Sequence, residues 1–199
     1  MARPVDEKNR EEVKEKIMET ARKVFCEKGF INVTMTDLLN AAGMSRGGFY
    51  FYYRSVDEVF RDTVRNRNKS NFDEIRLSIN KNPDFTGLID SYFAKQKKRL
   101  LNMEDSLLRA FYEYLFTHME KSDIQFRNEQ SDKILGTVNA MLQLGVRQKA
   151  LAPENVEQIA EHYMYTIEGL NVMALFQGLT EETIDRQFKI LKNMISEDR

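Results

Sequence analysis

A chain of 199 residues, 42% of them hydrophobic, can bury the core of one large domain or two small ones. Its net charge of −1 excludes a uniformly basic nucleic-acid coat, and its single cysteine, Cys26, excludes an internal disulfide framework and suits a reducing cytoplasm. It has no run of 18 apolar residues to span a membrane, and MARPVDEKNREEV lacks the apolar core of a signal peptide.

The first predicted helix runs from about Arg10 to Lys28, with Val13, Ile17, Ala21, Val24 and Phe25 on its inner face. Cys26 falls just off that face, as a partly buried structural thiol would. The stretch Thr34 to Glu58 then holds three helix starts. Thr36 is read as the N-cap of a short helix ending near Ala42, which Gly43 closes in a left-handed conformation. Ser45 caps the next helix, and Ser55 with Glu58 forms a capping box for a fourth. Two short helices joined by a Gly-containing turn make a helix-turn-helix, whose second helix enters the DNA major groove.

That second helix reads RGGFYFYY. Phe49 and Tyr53, four apart, share the face that anchors it to the core. Gly47, Gly48 and Phe51 fall on the far side, where the glycines allow a close backbone approach. Tyr50 and Tyr52 flank that face with hydroxyls for phosphate, and Arg46 can reach a base edge or a phosphate. Phe51 is placed to meet a thymine methyl group. FYFYY could also form a strand, but nothing nearby could pair with it. Charge agrees with a DNA-facing head. Residues 1–69 hold 14 Lys+Arg against 11 Asp+Glu, and the rest hold 16 against 20, giving +3 and −4.

The fourth helix ends before Asn82-Pro83-Asp84. A fifth, from Thr86 to about Asn102, carries Leu88, Ile89, Tyr92, Phe93 and Leu100 beside the solvated cations Lys95, Lys97, Lys98 and Arg99. The sixth spans Asp105 to about Lys121, the seventh Ile124 to Lys149, the eighth Pro153 to Gln177 and the ninth Thr180 to Ser196. In the last helix Ile184, Phe188, Leu191 and Ile195 recur at four, three and four residues, a seam for pairing with a second copy of the chain. Phe93, Phe111, Tyr114, His118, Met119, Met141, His162, Tyr163, Tyr165 and Met173 mix apolar bodies with a few polar tips, the composition of an adaptable pocket or of plain core.

From Ile17, Ala21 and Phe25 through Gly29-Phe30, Thr34-Met35-Thr36, Leu39, Ala42 to Gly47, Phe49-Tyr50, Tyr52-Tyr53 and Glu58, the chain resembles the DNA-binding domain of TetR-family transcriptional regulators. The resemblance implies an all-α homodimer in which three N-terminal helices bind an operator. It further implies a fourth helix leading to a ligand-binding and dimerisation bundle, with a small molecule releasing the DNA. The boundary falls inside the fourth helix, giving residues 1–70 and 71–199. The resemblance places Lys14, Thr34, Thr36, Arg46, Gly47, Gly48, Tyr50 and Tyr52 at the DNA surface; the helix wheel adds Phe51, and the cap residue Ser45 is counted with them. Family members usually carry a phosphate-binding Lys in the first turn of the fourth helix. Here Val56 stands there and Arg54 is the candidate substitute.

Catalysis has little support: there is no phosphate-cradling Gly loop, no HExxH and no nucleophile elbow. No cofactor is expected, and no His/Cys/carboxylate set has metal-ligand spacing. The expected function is a ligand-responsive repressor acting as a homodimer on a palindromic operator, with a small apolar effector. The rival is a helical DNA-bound activator or interaction module without ligand control.

Overall fold

The computed structural model describes residues 7–176 and 178–196, and their regular structure is helical. The helices are α1 Glu7–Lys28, α2 Met35–Ala41, α3 Arg46–Tyr52, α4 Val56–Asn80, α5 Phe85–Leu101, α6 Leu108–Thr117, α7 Lys121–Arg147, α8 Val156–Leu175 and α9 Glu181–Ser196. Single turns of 3-10 helix occupy Met103–Asp105 and Pro153–Asn155. These turns explain two shortened elements. The sixth helix begins at Leu108 rather than Asp105, and the eighth at Val156 rather than Pro153. Gln177, the expected end of the eighth helix, lies outside the described residues.

The chain divides into two compact units, one of residues 1–67 and 104–126 and one of residues 68–103 and 127–199. A cut at residue 70 would separate Glu104–Phe126 from the N-terminal helices, whereas these residues pack with them. In the first unit Phe25, Phe30, Phe60 and Tyr114 meet ring to ring, with centroids 4.9 to 5.1 Å apart between Phe60 and Phe25, Phe30 and Tyr114. His118 stacks on Tyr114 at 4.3 Å. Such ring pairs add a directional term to the burial of their large apolar area.

Polar bonds fix this packing. The Glu113 carboxylate accepts the backbone N–H groups of Phe30 at 2.6 Å and Ile31 at 3.1 Å, and Arg109 Nε at 2.8 Å. Those bonds hold its pKa below the usual glutamate value despite partial burial. Gly29, in the turn they grip, has φ +77°, a conformation that favours glycine, and a Cβ there would push the Glu113 carboxylate out of its place. Arg61 donates to Tyr114 Oη and to Asp123 Oδ1, and Tyr114 Oη donates to the same carboxylate oxygen.

The second unit is built on α5, α8, α9 and the later turns of α7, around Leu88, Phe93, Leu142, Leu144, Ile159 and Ile167. Phe93 stacks on Phe188 at 4.8 Å. Ile184, Phe188, Leu191 and Ile195 are each at most 8% exposed inside this core. The seam expected to pair two subunits is therefore consumed within its own chain, because α9 packs its apolar stripe onto α5 and α8. Two cations of α5 form surface ion pairs: Lys97 with Glu181 and Asp185, Lys95 with Glu74.

Candidate nucleic-acid interface and bundle cavity

Three successive caps shape the segment from Thr34 to Glu58. Thr34, not Thr36, caps α2: its hydroxyl accepts Asp37 N–H at 3.2 Å, and Asp37 returns a bond to Thr34 N at 2.9 Å. The Thr-x-x-Asp spacing was the signal for this box. Asp37 is drawn down to about 2 by its bonds with Lys28 and Thr34. Thr36 is left exposed on α2. At the other end Met44 N–H bonds Leu39 C=O and Gly43 N–H bonds Asn40 C=O, with Gly43 at φ +65°. This is a Schellman closure, and it requires a residue at ease in the left-handed region.

Ser45 Oγ accepts Gly48 N–H and caps α3. Ser55 Oγ accepts Glu58 N–H at the head of α4. The Glu58 carboxylate reaches back to Arg54 N rather than Ser55 N, one residue further than in a capping box. Arg54 is held by its backbone at this turn, and its residue is exposed.

α3 thus has a sharply two-sided surface. Phe49 and Tyr53 are buried, with 0% and 2% of their surface accessible. Arg46, Gly47, Tyr50 and Phe51 are exposed, Gly48 and Tyr52 half-buried. A Cβ on Gly47 would meet nothing within 4 Å, so packing within the chain does not require glycine there. The Arg46 guanidinium lies 5.6 Å from the Tyr50 ring centroid. Arg10, reaching from α1, lies 5.4 Å from that of Phe51, a neighbour the sequence reading did not anticipate. Lys14 is half-buried, with its ammonium 3.6 Å from Asp62 and 5.4 Å from the Tyr53 ring centroid.

The expected pocket residues are split between the units. Phe93, Met141 and Tyr163 line one cavity of about 20 Å³ in the second unit, together with Tyr92, which the sequence reading did not assign to the pocket. Phe111, Tyr114, His118 and Met119 belong to the first unit, where Tyr114 is core and Met119 is 65% exposed. His162, Tyr165 and Met173 are exposed on α8, turned away from Tyr163 by the helical period. Among the described residues no group of three or more His, Cys, Asp or Glu could hold a metal ion. No described helix is long and apolar enough to cross a membrane.

Two short capped helices, the second presenting a polar and aromatic face around bare glycine, define a helix-turn-helix DNA-binding regulator. Residues 17–63 match the family model for bacterial regulatory proteins of the tetR family, and residues 88–185 match a tetracyclin repressor-like C-terminal domain. The chain belongs to the TetR family of transcriptional regulators. Curated relatives include the HTH-type transcriptional regulator YfiR of Bacillus subtilis, 27% identical over 88% of this chain and 86% of its own length. Another is SrpR of Pseudomonas putida, 24% identical over 92% and 81%. A shorter match, 30% identical over 27% of this chain and 29% of its own, is to IcaR of Staphylococcus epidermidis, a negative regulator of the biofilm operon icaADBC. In fold the chain resembles Escherichia coli NemR in its reduced form, at TM-score 0.74, 15% identity and coverage of 92% and 97%. It equally resembles a transcriptional regulator from Saccharomonospora viridis in complex with choline, at TM-score 0.73, 18% identity and coverage of 94% and 97%.

Proposed function

We propose that this regulator is a repressor that binds a near-palindromic operator as a homodimer and is released by a small, largely apolar molecule. The exposed face of α3 carries the reading: Arg46, Tyr50, Phe51 and Tyr52 surround Gly47, with Thr34, Ser45 and Arg54 at the flanking caps. Arg46 is assigned to a base edge or phosphate, the tyrosines and Arg54 to phosphates, and Phe51 to a thymine methyl. DNA binding is assigned to the segment up to residue 70, and effector binding and dimerisation to residues 71–199.

With the α9 seam buried, a different face supports the dimer. Tyr165, Gly169, Val172 and Met173 of α8 and its C-cap residue Phe176 recur at four, three, one and three residues and are exposed, Tyr165 at 72% and Phe176 at 76%. Ile190 adds a half-exposed apolar residue on α9. An apolar stripe of this length in water favours a second copy of itself. The effector is assigned to the cavity beside Phe93, Met141 and Tyr163, which is apolar and enclosed by the bundle. A larger cleft of about 400 Å³ beside Cys26 is open and lined by Arg22, Lys23, Glu27, Glu104 and Asp105, a setting for water rather than an apolar molecule. Burial also raises the Cys26 thiol pKa, which keeps it protonated and unreactive. Effector and operator compete through two states of the dimer, and α4 and α7, each continuous across a unit boundary, supply the linkage.

The test is selection of a duplex from a random library, followed by footprinting and stoichiometry. Two chains on a palindrome with half-sites about one helical turn apart, and lowered transcription in vitro from a promoter overlapping it, are expected. One chain per duplex, or raised transcription, would overturn the repressor dimer.

A further inference from the structure

The cavity in the second unit holds a polar pair inside an apolar lining. α5 and α8 bring the hydroxyls of Tyr92 and Tyr163 to 2.7 Å, and both residues are buried, at 8% and 4% exposure. Around them stand Ile89, Phe93, Val138 and Met141, and no charged side chain is among the lining residues. Two hydroxyls carry two protons, and only one can lie between the two oxygens. The second needs an acceptor. Gln96, one turn from Tyr92 on α5, already accepts Arg99 Nε at 2.9 Å through its side-chain oxygen, while Arg99 also donates to Asn171 Oδ1 at 2.8 Å. Arginine can only donate, so this string fixes the Gln96 amide with its oxygen toward Arg99. With the amide so turned, its nitrogen is the group left for Tyr92, and the cavity lining offers no oxygen or nitrogen acceptor beyond the two tyrosines for the second phenolic proton. A buried donor without an acceptor is costly, and a ligand atom that accepts it recovers that cost.

We infer that the effector is an uncharged molecule with a compact apolar body and one hydrogen-bond acceptor, which takes the spare proton of the Tyr92–Tyr163 pair. This rests on the assignment of the effector to this cavity. Charged molecules are disfavoured from both sides. A carboxylate would be stripped of water with no cation lining the site. A quaternary ammonium would meet the Phe93 ring, which already has the Lys192 ammonium 5.8 Å from its centroid. The cavity, at about 20 Å³, holds roughly one water-sized sphere, so an aromatic effector must part the lining. Met141, unbranched and flexible, is the side chain best able to give way. An effector that fits only the parted lining binds one state of the protein in preference to the other, which is what release of DNA requires.

The test is calorimetry on the full-length protein with four single-ring probes. These are acetophenone, its near-isostere isopropylbenzene with no acceptor, benzoate and phenyltrimethylammonium. Acetophenone is expected to bind roughly threefold to tenfold more tightly than isopropylbenzene, the worth of one hydrogen bond, and neither ion to bind. Tyr92→Phe and Tyr163→Phe each leave one hydroxyl and one unaccepted proton, so each keeps the preference. The double variant abolishes the preference and still binds isopropylbenzene. Equal binding of the two neutral probes, an ion binding as tightly, or a preference surviving in the double variant overturns the inference while the cavity assignment stands. If no probe binds wild-type protein, the cavity assignment falls and the inference with it.

Discussion

A phenylalanine with 60% of its surface in water, as Phe51 has, lies outside the protein core. Arg10 over its ring and Tyr52 against its edge hold the ring on the exposed face of α3. Phe51→Ala should leave the melting temperature nearly unchanged. It should cost operator affinity by ~1–3 kcal/mol at one or two T-containing steps per half-site, as the proposed contact with a thymine methyl, which cytosine lacks, requires. Thermal melts beside a binding scan over single-base operator variants measure both. A stability loss, or an affinity loss without base preference, would contradict the assignment. The caps make a second pair of expectations. Thr34→Ala removes the α2 box and should cost ~1 kcal/mol of stability, whereas Thr36→Ala, at an exposed position inside the helix, should cost little. Denaturant titration of the two variants separates them. The pH dependence has a definite sign. Asp37 sits at about 2 when folded against an ordinary 3.8, so its contribution is complete above about pH 4 and is lost as pH falls toward 2. Asp37→Asn should flatten that part of the acid stability curve.

At the scale of elements, α6 is the member whose role changes most from its sequence appearance. Its aromatic stripe reads as a pocket wall, yet Tyr114 is core to the first unit and Glu113 clamps the turn between α1 and α2. Glu113→Ala leaves two backbone N–H groups without their acceptor and should destabilise this unit by about 1–3 kcal/mol. Faster amide hydrogen exchange at Phe30 and Ile31 is the local readout. Unchanged protection at both would show that the clamp is dispensable. α9 changes in the opposite sense. Its regular seam is what a dimer helix would carry, but Leu191 is 1% exposed in its own core. Leu191→Glu should therefore unfold the second unit, seen as lost helical signal on mild heating, rather than yield a folded monomer.

For the whole molecule the proposed dimer assigns the joining of two copies to the exposed apolar stripe at α8. Tyr165→Glu combined with Phe176→Glu places charges on the exposed stripe of α8, where the isolated chain buries neither side chain. The double variant should keep its melting profile in dilute solution, run as a monomer by light scattering and lose operator binding, since one chain holds only one half-site. A dimer of undiminished affinity would move the interface elsewhere. Combined with the Leu191→Glu result, this distinguishes a stripe that serves association from one that serves folding.

Short-range features were legible because they depend on a few neighbouring residues. The helix-turn-helix follows from caps, a left-handed glycine and an apolar period within 25 residues, and the two-sided surface of α3 follows from 100° per residue. The family was recognisable for the same reason, since its signature lies in that segment. Even there Thr34 and Thr36 are two residues apart, and only the reciprocal bond with Asp37 picks the cap. What the tertiary structure alone decided is which apolar stripe meets which. Phe111 and Tyr114 have the same composition as Phe93 and Tyr163, yet one pair packs with the N-terminal helices and the other encloses a cavity. Periodicity states that a face must be buried without naming its partner, and burial by the chain's own helices satisfies the hydrophobic effect as well as burial by a second copy. The sequence thus carried the helices, the Ser45 cap and the two-sided surface of α3, while the α2 cap and the fate of α6, α9 and the tyrosine pair were settled by bonds and packing in the folded chain.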